Sequence, residues 1–455
     1  MKRVLFLSST CLALAAAAAC ATSEGAGTQP EPASDSDAGP TVLPDASELD
    51  ASADAPPTAP SCSSAGWCPT DLPDVDLSLK DIWPLDGRAF AVAESPTSGV
   101  KVLEWTGSDG KWSYIDDSTQ NEWGRGAYAG KIFAPNENEV YYTVAPRTVY
   151  HGTRNTNGAP PDKPWSWTRQ ALEDRLPAYP PGPSYAPEHY LGRPLDPVSS
   201  NIRVSFGVFG TNADDIHAWF GNTIYRLTRD DAGTPTWTVD YIADDLDRTD
   251  EQIVFLGATG TGPDDVWFAG GRTGGPYDYR TCAILVHKTA TGYHRVLDAV
   301  RDDATSCSPR PDTAMLDGTA GWLSDVRSVA ANTVVGLKAA FDLARITLEG
   351  GSYSTITTTV PILGNPTARQ GRAGYLSFSA GPNQPIWLGA YSLVVRGEDV
   401  WTDGGTYAIS SISLNGGVLS STAPTGDMPV YQLRSSSMGD VWLAGDHHAL
   451  HKTTP

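Results

Sequence analysis

The residues with the most chemical potential lie near the C-terminus, where Asp446, His447, His448 and His451 place three imidazoles and a carboxylate close together. Imidazole nitrogen and carboxylate oxygen together are a donor set for a transition metal. Adjacent carboxylates recur at Asp116 and Asp117, Asp214 and Asp215, Asp244 and Asp245, Asp264 and Asp265, and Asp302 and Asp303. Glycoside hydrolysis needs two carboxylates held across one scissile bond. Both sets have a simpler reading, because neighbours on a strand point to opposite faces and Asp ahead of a strand caps a tight turn. The chain contains no Gly-x-Ser-x-Gly elbow, no His-Glu-x-x-His helix and no Gly-x-x-x-x-Gly-Lys loop. No catalytic residue, metal ligand set or cofactor site is assigned from these patterns.

Six cysteines occur, at positions 11, 20, 62, 68, 282 and 307. Cys62 with Cys68 and Cys282 with Cys307 read as two disulfides, since the Cys-x5-Cys spacing without nearby partners is poor for zinc. The N-terminus carries Lys2 and Arg3 and then an apolar run from Val4 to Ala19. That run is too short and alanine-rich for a membrane span and reads as a signal peptide over residues 1–19. It ends Ala17-Ala18-Ala19-Cys20, which resembles the lipobox of bacterial lipoproteins. The resemblance implies that Cys20 becomes the lipidated, palmitate-bearing N-terminus. Ala17 stands where that pattern most often has Leu, so cleavage at an ordinary Ala-x-Ala site is the alternative. Ala21 in place of Asp after the cysteine implies passage to the outer membrane of a Gram-negative bacterium. Acyl chains anchor by burying methylenes at roughly 0.8 kcal/mol each.

Residues 20–60 contain no aromatic side chain and no Lys or Arg, with Glu24, Glu31, Asp35, Asp37, Asp45 and Asp54 among them. This composition cannot bury a core and reads as a disordered, self-repelling acidic linker. Over the whole chain the net charge is −21, which opposes binding to a phosphate backbone and argues against nucleic acid as a partner. With 45 Gly and 35 Pro in 455 residues and only 19% charged residues, the remainder suits a turn-rich all-β protein and disfavours a helical bundle, a coiled coil or collagen.

From about residue 61 the chain repeats itself. The clearest copies are DDVWFAG (264–270), GDVWLAG (439–445) and QPIWLGA (384–390), with weaker ones at 87–93, 138–144, 214–220 and 332–338. Their anchor positions are Phe90, Tyr141, His217, Trp267, Val335, Trp387 and Trp442. A second marker follows each anchor, at Trp105, His151, Arg226, His287, Arg345, Arg396 and His451. An apolar strand, a turn and a returning strand make a hairpin, and Asn, Asp or Gly before the anchor supplies the preceding turn. Trp112, Trp237 and Trp401 read as members of fourth strands.

Four short strands repeated about seven times predict a β-propeller over residues 61–455, with six blades or a pair of β-sandwiches as alternatives. The pattern resembles the Asp-Val-Trp repeats of bacterial surface propellers. The last copy stops four residues after His451, too soon for its own fourth strand. Trp67, in Ser63–Thr70, is expected to pair beside the strand containing His451 and close the ring from the N-terminal side.

An insertion read at about 152–200 carries Trp165, Trp167, Tyr185 and Tyr190 as possible ligand contacts, because long loops on a rigid ring often carry recognition. The resulting expectation is a membrane-tethered binding module for an envelope protein, peptide or glycan. The alternative is a propeller enzyme, a glycan or lactone hydrolase, with its site assembled in the central funnel. Convergence of carboxylates and His in the central channel would favour the enzyme, and closure by apolar side chains and Trp the binding module.

Overall fold

In the computed structural model the described residues are 62–63, 65–119, 129–144, 147–155, 164–173, 206–231, 233–247, 251–273, 281–301, 306–316, 321–338, 342–360, 377–390, 393–402, 405–411, 413–415, 418–420, 430–437 and 439–453. The signal peptide, Cys20 and the linker fall outside them, as do Tyr185, Tyr190, Asp302 and Asp303.

The described part is all strand and turn, arranged as seven antiparallel sheets of four strands or more and one two-stranded sheet, Ser413–Asn415 with Val418–Ser420. Blade 1 runs through Ser78–Leu85, Arg88–Ser95, Gly99–Thr106 and Trp112–Tyr114. Blade 2 comprises Ala129–Asn136, Glu139–Val144, Thr148–Arg154 and Trp165–Ala171. Blade 3 comprises Phe206–Asn212, Asp215–Phe220, Thr223–Arg229 and Pro235–Ile242. Blade 4 comprises Gln252–Gly262, Asp265–Thr273, Thr281–Thr289 and Gly292–Arg301, and adds a fifth strand, Cys307–Pro309. Blade 5 comprises Leu323–Ala330, Thr333–Lys338, Asp342–Glu349 and Ser352–Thr359. Blade 6 comprises Ser377–Ser379, Ile386–Ala390, Leu393–Glu398 and Thr406–Ser411. Blade 7 has Val430–Ser437, Asp440–Gly445 and His448–Lys452, and takes its fourth strand, Trp67–Pro69, from the other end of the chain.

Tight turns make these hairpins possible. Gly87 and Asn332 take the left-handed backbone conformation that the inner-to-second turns of blades 1 and 5 require. No single blade can shield both of its apolar faces, so each packs on its neighbours. The core accordingly divides into seven clusters, one per blade interface. The interface between blades 7 and 1 is typical: Trp105 meets Trp442 edge-on at 4.9 Å, and Trp112 meets it at 5.6 Å. Seven blades closed in this way are a β-propeller.

The closing strand lies where the sequence places it. Trp67 pairs with Lys452, Cys68 with His451 and Pro69 with Leu450. Trp67 is 1% exposed and packs edge-on against Trp387 of blade 6 at 5.9 Å. Lys452 Nζ donates to the Ala65 carbonyl at 2.6 Å and Thr70 donates to the Ala449 carbonyl at 2.9 Å. The disulfides Cys62–Cys68 and Cys282–Cys307 are both formed. The second joins the third strand of blade 4 to its fifth. Nearby, the buried Arg272 grips Asp298 through two bonds of 2.9 Å and Glu251 at 3.0 Å, bracing the same end of the blade.

Two sequence expectations need correction, and one register is worth noting. The segment read as one insertion from about residue 152 includes the outer strand of blade 2, Trp165–Ala171. Trp401 lies in the turn between the third and fourth strands of blade 6, with the Arg345 guanidinium 5.0 Å from its ring, and the fourth strand begins at Thr406. In blade 1 the residue across from Phe90 is Glu104 and not Trp105. With a side-chain period of two, that single step puts Trp105 on the opposite face, against blade 7.

Candidate functional site

The motif residues prove to be fasteners. Across the second and third strands, Tyr141 faces His151, His217 faces Arg226, Trp267 faces His287, Val335 faces Arg345, Trp387 faces Arg396 and Trp442 faces His451. In blade 4 the Asp265 carboxylate accepts from Trp267 Nε1 at 2.6 Å, from His287 Nε2 at 2.9 Å and from the Thr261 hydroxyl. The indole and imidazole stack at 3.6 Å, 9° from parallel. Blade 7 repeats this with Asp440, Trp442 at 3.1 Å, His451 at 2.6 Å and Ser436. Blade 2 uses Glu139, Tyr141 at 2.6 Å and His151 at 2.9 Å. In blade 3 the imidazole moves to the anchor: His217 bonds Asp215 at 3.1 Å, and Thr211 bonds the same carboxylate at 2.8 Å. Blade 1 reverses the charges, pairing Arg88 with Glu104.

A carboxylate only accepts, so each imidazole presents a protonated nitrogen to it. Burial alone would raise the Asp265 carboxyl, but the bonds from His287, Thr261 and Trp267 outweigh it and hold the group at about 2. Asp215 is likewise at about 2, with burial outweighed by His217 and Thr211. The carboxylate pairs flagged in the sequence are therefore turn and strand-locking groups where they are described. Asp116 binds Lys101 at 3.3 Å, and Asp245 binds Arg295. Asp446 and His447 form the hairpin turn, and His448 Nδ1 lies 2.7 Å from the Asp446 carbonyl. Among the described residues no three His, Cys, Asp or Glu side chains converge to hold a metal ion.

The aromatic residues of blade 2 are also tied into the ring. Trp165 is 5% exposed, edge-on to Phe90 at 5.8 Å, with the Arg154 guanidinium 4.5 Å from its ring. Trp167 donates to the Ile115 carbonyl of blade 1 at 2.9 Å, and Gly152 leaves room for its ring, since a Cβ there would lie 2.6 Å from it.

What the repeat did not reveal is the centre of the ring. Opposite the anchors, the inner strands contribute Trp83, Phe133, Phe209, Thr259, Arg327, Ser379 and Arg434 as one layer. Nearer the ends at which the chain enters these strands come Asp81, Lys131, Gly257, Asp325, Ser377 and Gln432. Blades 1 to 3 thus supply aromatic rings. Trp83 is edge-on to Phe133 at 4.9 Å and to Phe209 at 6.2 Å, and packs on three of the seven interface clusters. Blades 5 and 7 supply arginines. Arg434 forks onto Asp81 at 3.2 and 3.1 Å while its guanidinium lies 4.7 Å from the Trp83 ring. Arg327 forks onto Asp325 at 2.6 and 2.7 Å. Gly257 is required here, because a Cβ would stand 2.9 Å from the Asp325 carboxylate.

Bulges in the inner strands free backbone donors, and neighbouring blades take them up. Ile132 N donates to Asp81 at 2.9 Å, Ser328 N to Thr259 at 2.9 Å and Leu433 N to Ser377 at 2.6 Å. Both central carboxylates are consequently bound by arginine, and Asp325 stays below the ordinary carboxylate range because Arg327, Lys131 and Arg434 overcome its burial.

No family model matches the sequence, and no curated protein aligns with it significantly. Solved structures of similar shape include a streptogramin B lyase, 15% identical with a TM-score of 0.50 over 86% of this chain and 97% of that one. YCF48 from Cyanidioschyzon merolae is 13% identical, with a TM-score of 0.49 over 86% and 99%. The extracellular domain of the putative hybrid two-component system BT4673 from B. thetaiotaomicron is 8% identical, with a TM-score of 0.47 over 85% and 39%. At such identities the likeness is one of architecture: this chain has the fold of a seven-bladed β-propeller.

Proposed function

We propose that the protein is an extracytoplasmic binding module for an envelope protein, peptide or glycan, held at the outer membrane through lipid on Cys20. The carrying observation is the commitment of its polar residues. Asp81 and Asp325 are each forked by an arginine, and His151, His217, His287 and His451 are each bound to a strand carboxylate. The central carboxylates that a funnel hydrolase would keep free for proton transfer are taken by arginines, and these histidines lie away from the axis on second and third strands, where they lock hairpins. Two disulfides fit an oxidising compartment.

The two ends of the ring differ. Inner and second strands of blades 1 to 5 are joined by two-residue turns at one end. At the other, the chain passes between blades, from Ala171 to Phe206 and from Thr359 to Ser377. The second face is the one we propose for recognition. A photo-crosslinking residue at Thr97, on the connection face, is expected to capture a partner in intact envelopes, and one at Glu137, on the turn face, to capture none. Equal labelling, or turnover of a glycan or lactone panel by the purified protein, would overturn the reading. Cys20→Ser should abolish incorporation of an alkynyl fatty acid and move the protein to the soluble fraction.

A further inference from the structure

We infer that the centre of the ring is a binding site for a small organic anion, a carboxylate with an apolar body, whose charged end is received by Lys131 and Gln432. Three cations, Lys131, Arg327 and Arg434, converge there with two carboxylates, Asp81 and Asp325. They come from blades 1, 2, 5 and 7, so they meet across the axis. The arginines use up both carboxylates. Among the described residues Lys131 forms no ion pair, and its ammonium has one hydrogen bond, to Gln432 Oε1 at 3.2 Å.

Gln432 is 2% exposed, and with its oxygen given to Lys131 its Nε2 has no acceptor. The Gln432 Nε2 is a buried donor without a partner, and the half-buried Lys131 ammonium shares Asp81 and Asp325 with two arginines that already fork onto them, so one added carboxylate would serve both groups. The surplus positive charge is conspicuous in a chain of net charge −21. Burial lowers the Lys131 ammonium below the ordinary lysine range, with Arg434 and Arg327 adding to the effect against Asp81 and Asp325. An anion at this point would reverse that.

The apolar half of the ligand follows from the next layer. Trp83, Phe133 and Phe209 form an arc of rings two residues along their strands from the Asp81 and Lys131 layer. An aromatic or cycloalkyl carboxylate would place its body on this arc. The site does not depend on the partner-binding reading, because its residues belong to the inner strands and Thr97 does not.

The test is calorimetry on the mature chain with benzoate, benzamide and acetate as probes. Benzoate is expected to bind at least about tenfold more tightly than the other two, since one charge-assisted bond or one aromatic contact is worth about that factor. Lys131→Met and Gln432→Leu should each weaken benzoate at least tenfold, and Lys131→Arg should retain it. Lys131→Met should also melt no lower than the unliganded parent, because the ammonium forms no ion pair among the described residues; a lower melting temperature would make the lysine a structural group and overturn its assignment to a ligand. Benzamide binding as well as benzoate, no heat from benzoate at about 10 mM, or undiminished binding by a folded Lys131→Met variant would each overturn the assignment.

Discussion

Replacing Trp67 by Ala probes ring closure directly. The indole is 1% exposed and fills the blade 6 and 7 interface with Trp387, Val394, Val430, Leu433, Val441, Leu443 and Leu450. Truncating a fully buried Trp costs about 3–5 kcal/mol, through lost transfer energy and the cavity left behind. A folded part of roughly 390 residues has an unfolding entropy near 0.8 kcal/mol/K, so that loss should lower Tm by about 4–6 °C. Differential scanning calorimetry of Trp67→Ala beside Trp237→Ala gives the comparison, because Trp237 is only partly buried and lies on an outer strand. Removing residues 61–70 altogether should prevent cooperative folding, since it strips the strand that covers 448–452. A Trp67→Ala melt within 1 °C of the parent, or a cooperative transition at the parental temperature after the deletion, would refute closure by the N-terminal strand.

Two further outcomes follow. Opening Cys282–Cys307, with a separation of 25 residues, should cost about 3.5 kcal/mol, against about 2 kcal/mol for Cys62–Cys68 with its separation of 6, so in urea titrations the Cys282→Ser variant should have the lower midpoint. The reverse order would mean that loop length does not govern these links. The Asp215 and Asp265 carboxyls are held at about 2 against an ordinary 3.8. Between those values the unfolded chain binds more protons than the folded one, so their stabilisation is complete above about pH 4 and drains away as pH falls towards 2, by roughly 2 kcal/mol each. Asp265→Asn should flatten the fall in stability between pH 4 and 2; a slope equal to the parent's would disprove the lock.

The blades were legible because the anchor and its marker obey a strand period and face each other in six copies. Blade 1 escaped that pattern, since Glu104 holds the paired position while the bulkier Trp105 beside it draws the eye. Trp401 misled for a related reason: a large aromatic following a polar run marks a strand only if the backbone continues extended, and here Asp399 takes a left-handed turn. The central site was illegible altogether. Each blade gives it one or two residues, and the bulge around Lys131 breaks the alternation by which it could have been counted. The resemblance to Asp-Val-Trp repeats points to the second strands, whereas the charges lie on the inner ones.

The seam between Trp67 and Lys452 has a kinetic side. Joining residues separated by 385 positions carries a closure entropy of order 5 kcal/mol, repaid only when the six other interfaces are already in register. Such a contact forms late and opens early. The Cys62–Cys68 link bends the closing strand on itself without riveting it to blade 7, so amide hydrogens at the seam should exchange ahead of those in blades 2 to 5. A circle of this kind has one place where its covalent chain does not run on from one strand of a blade to the next, and local opening is expected to begin there.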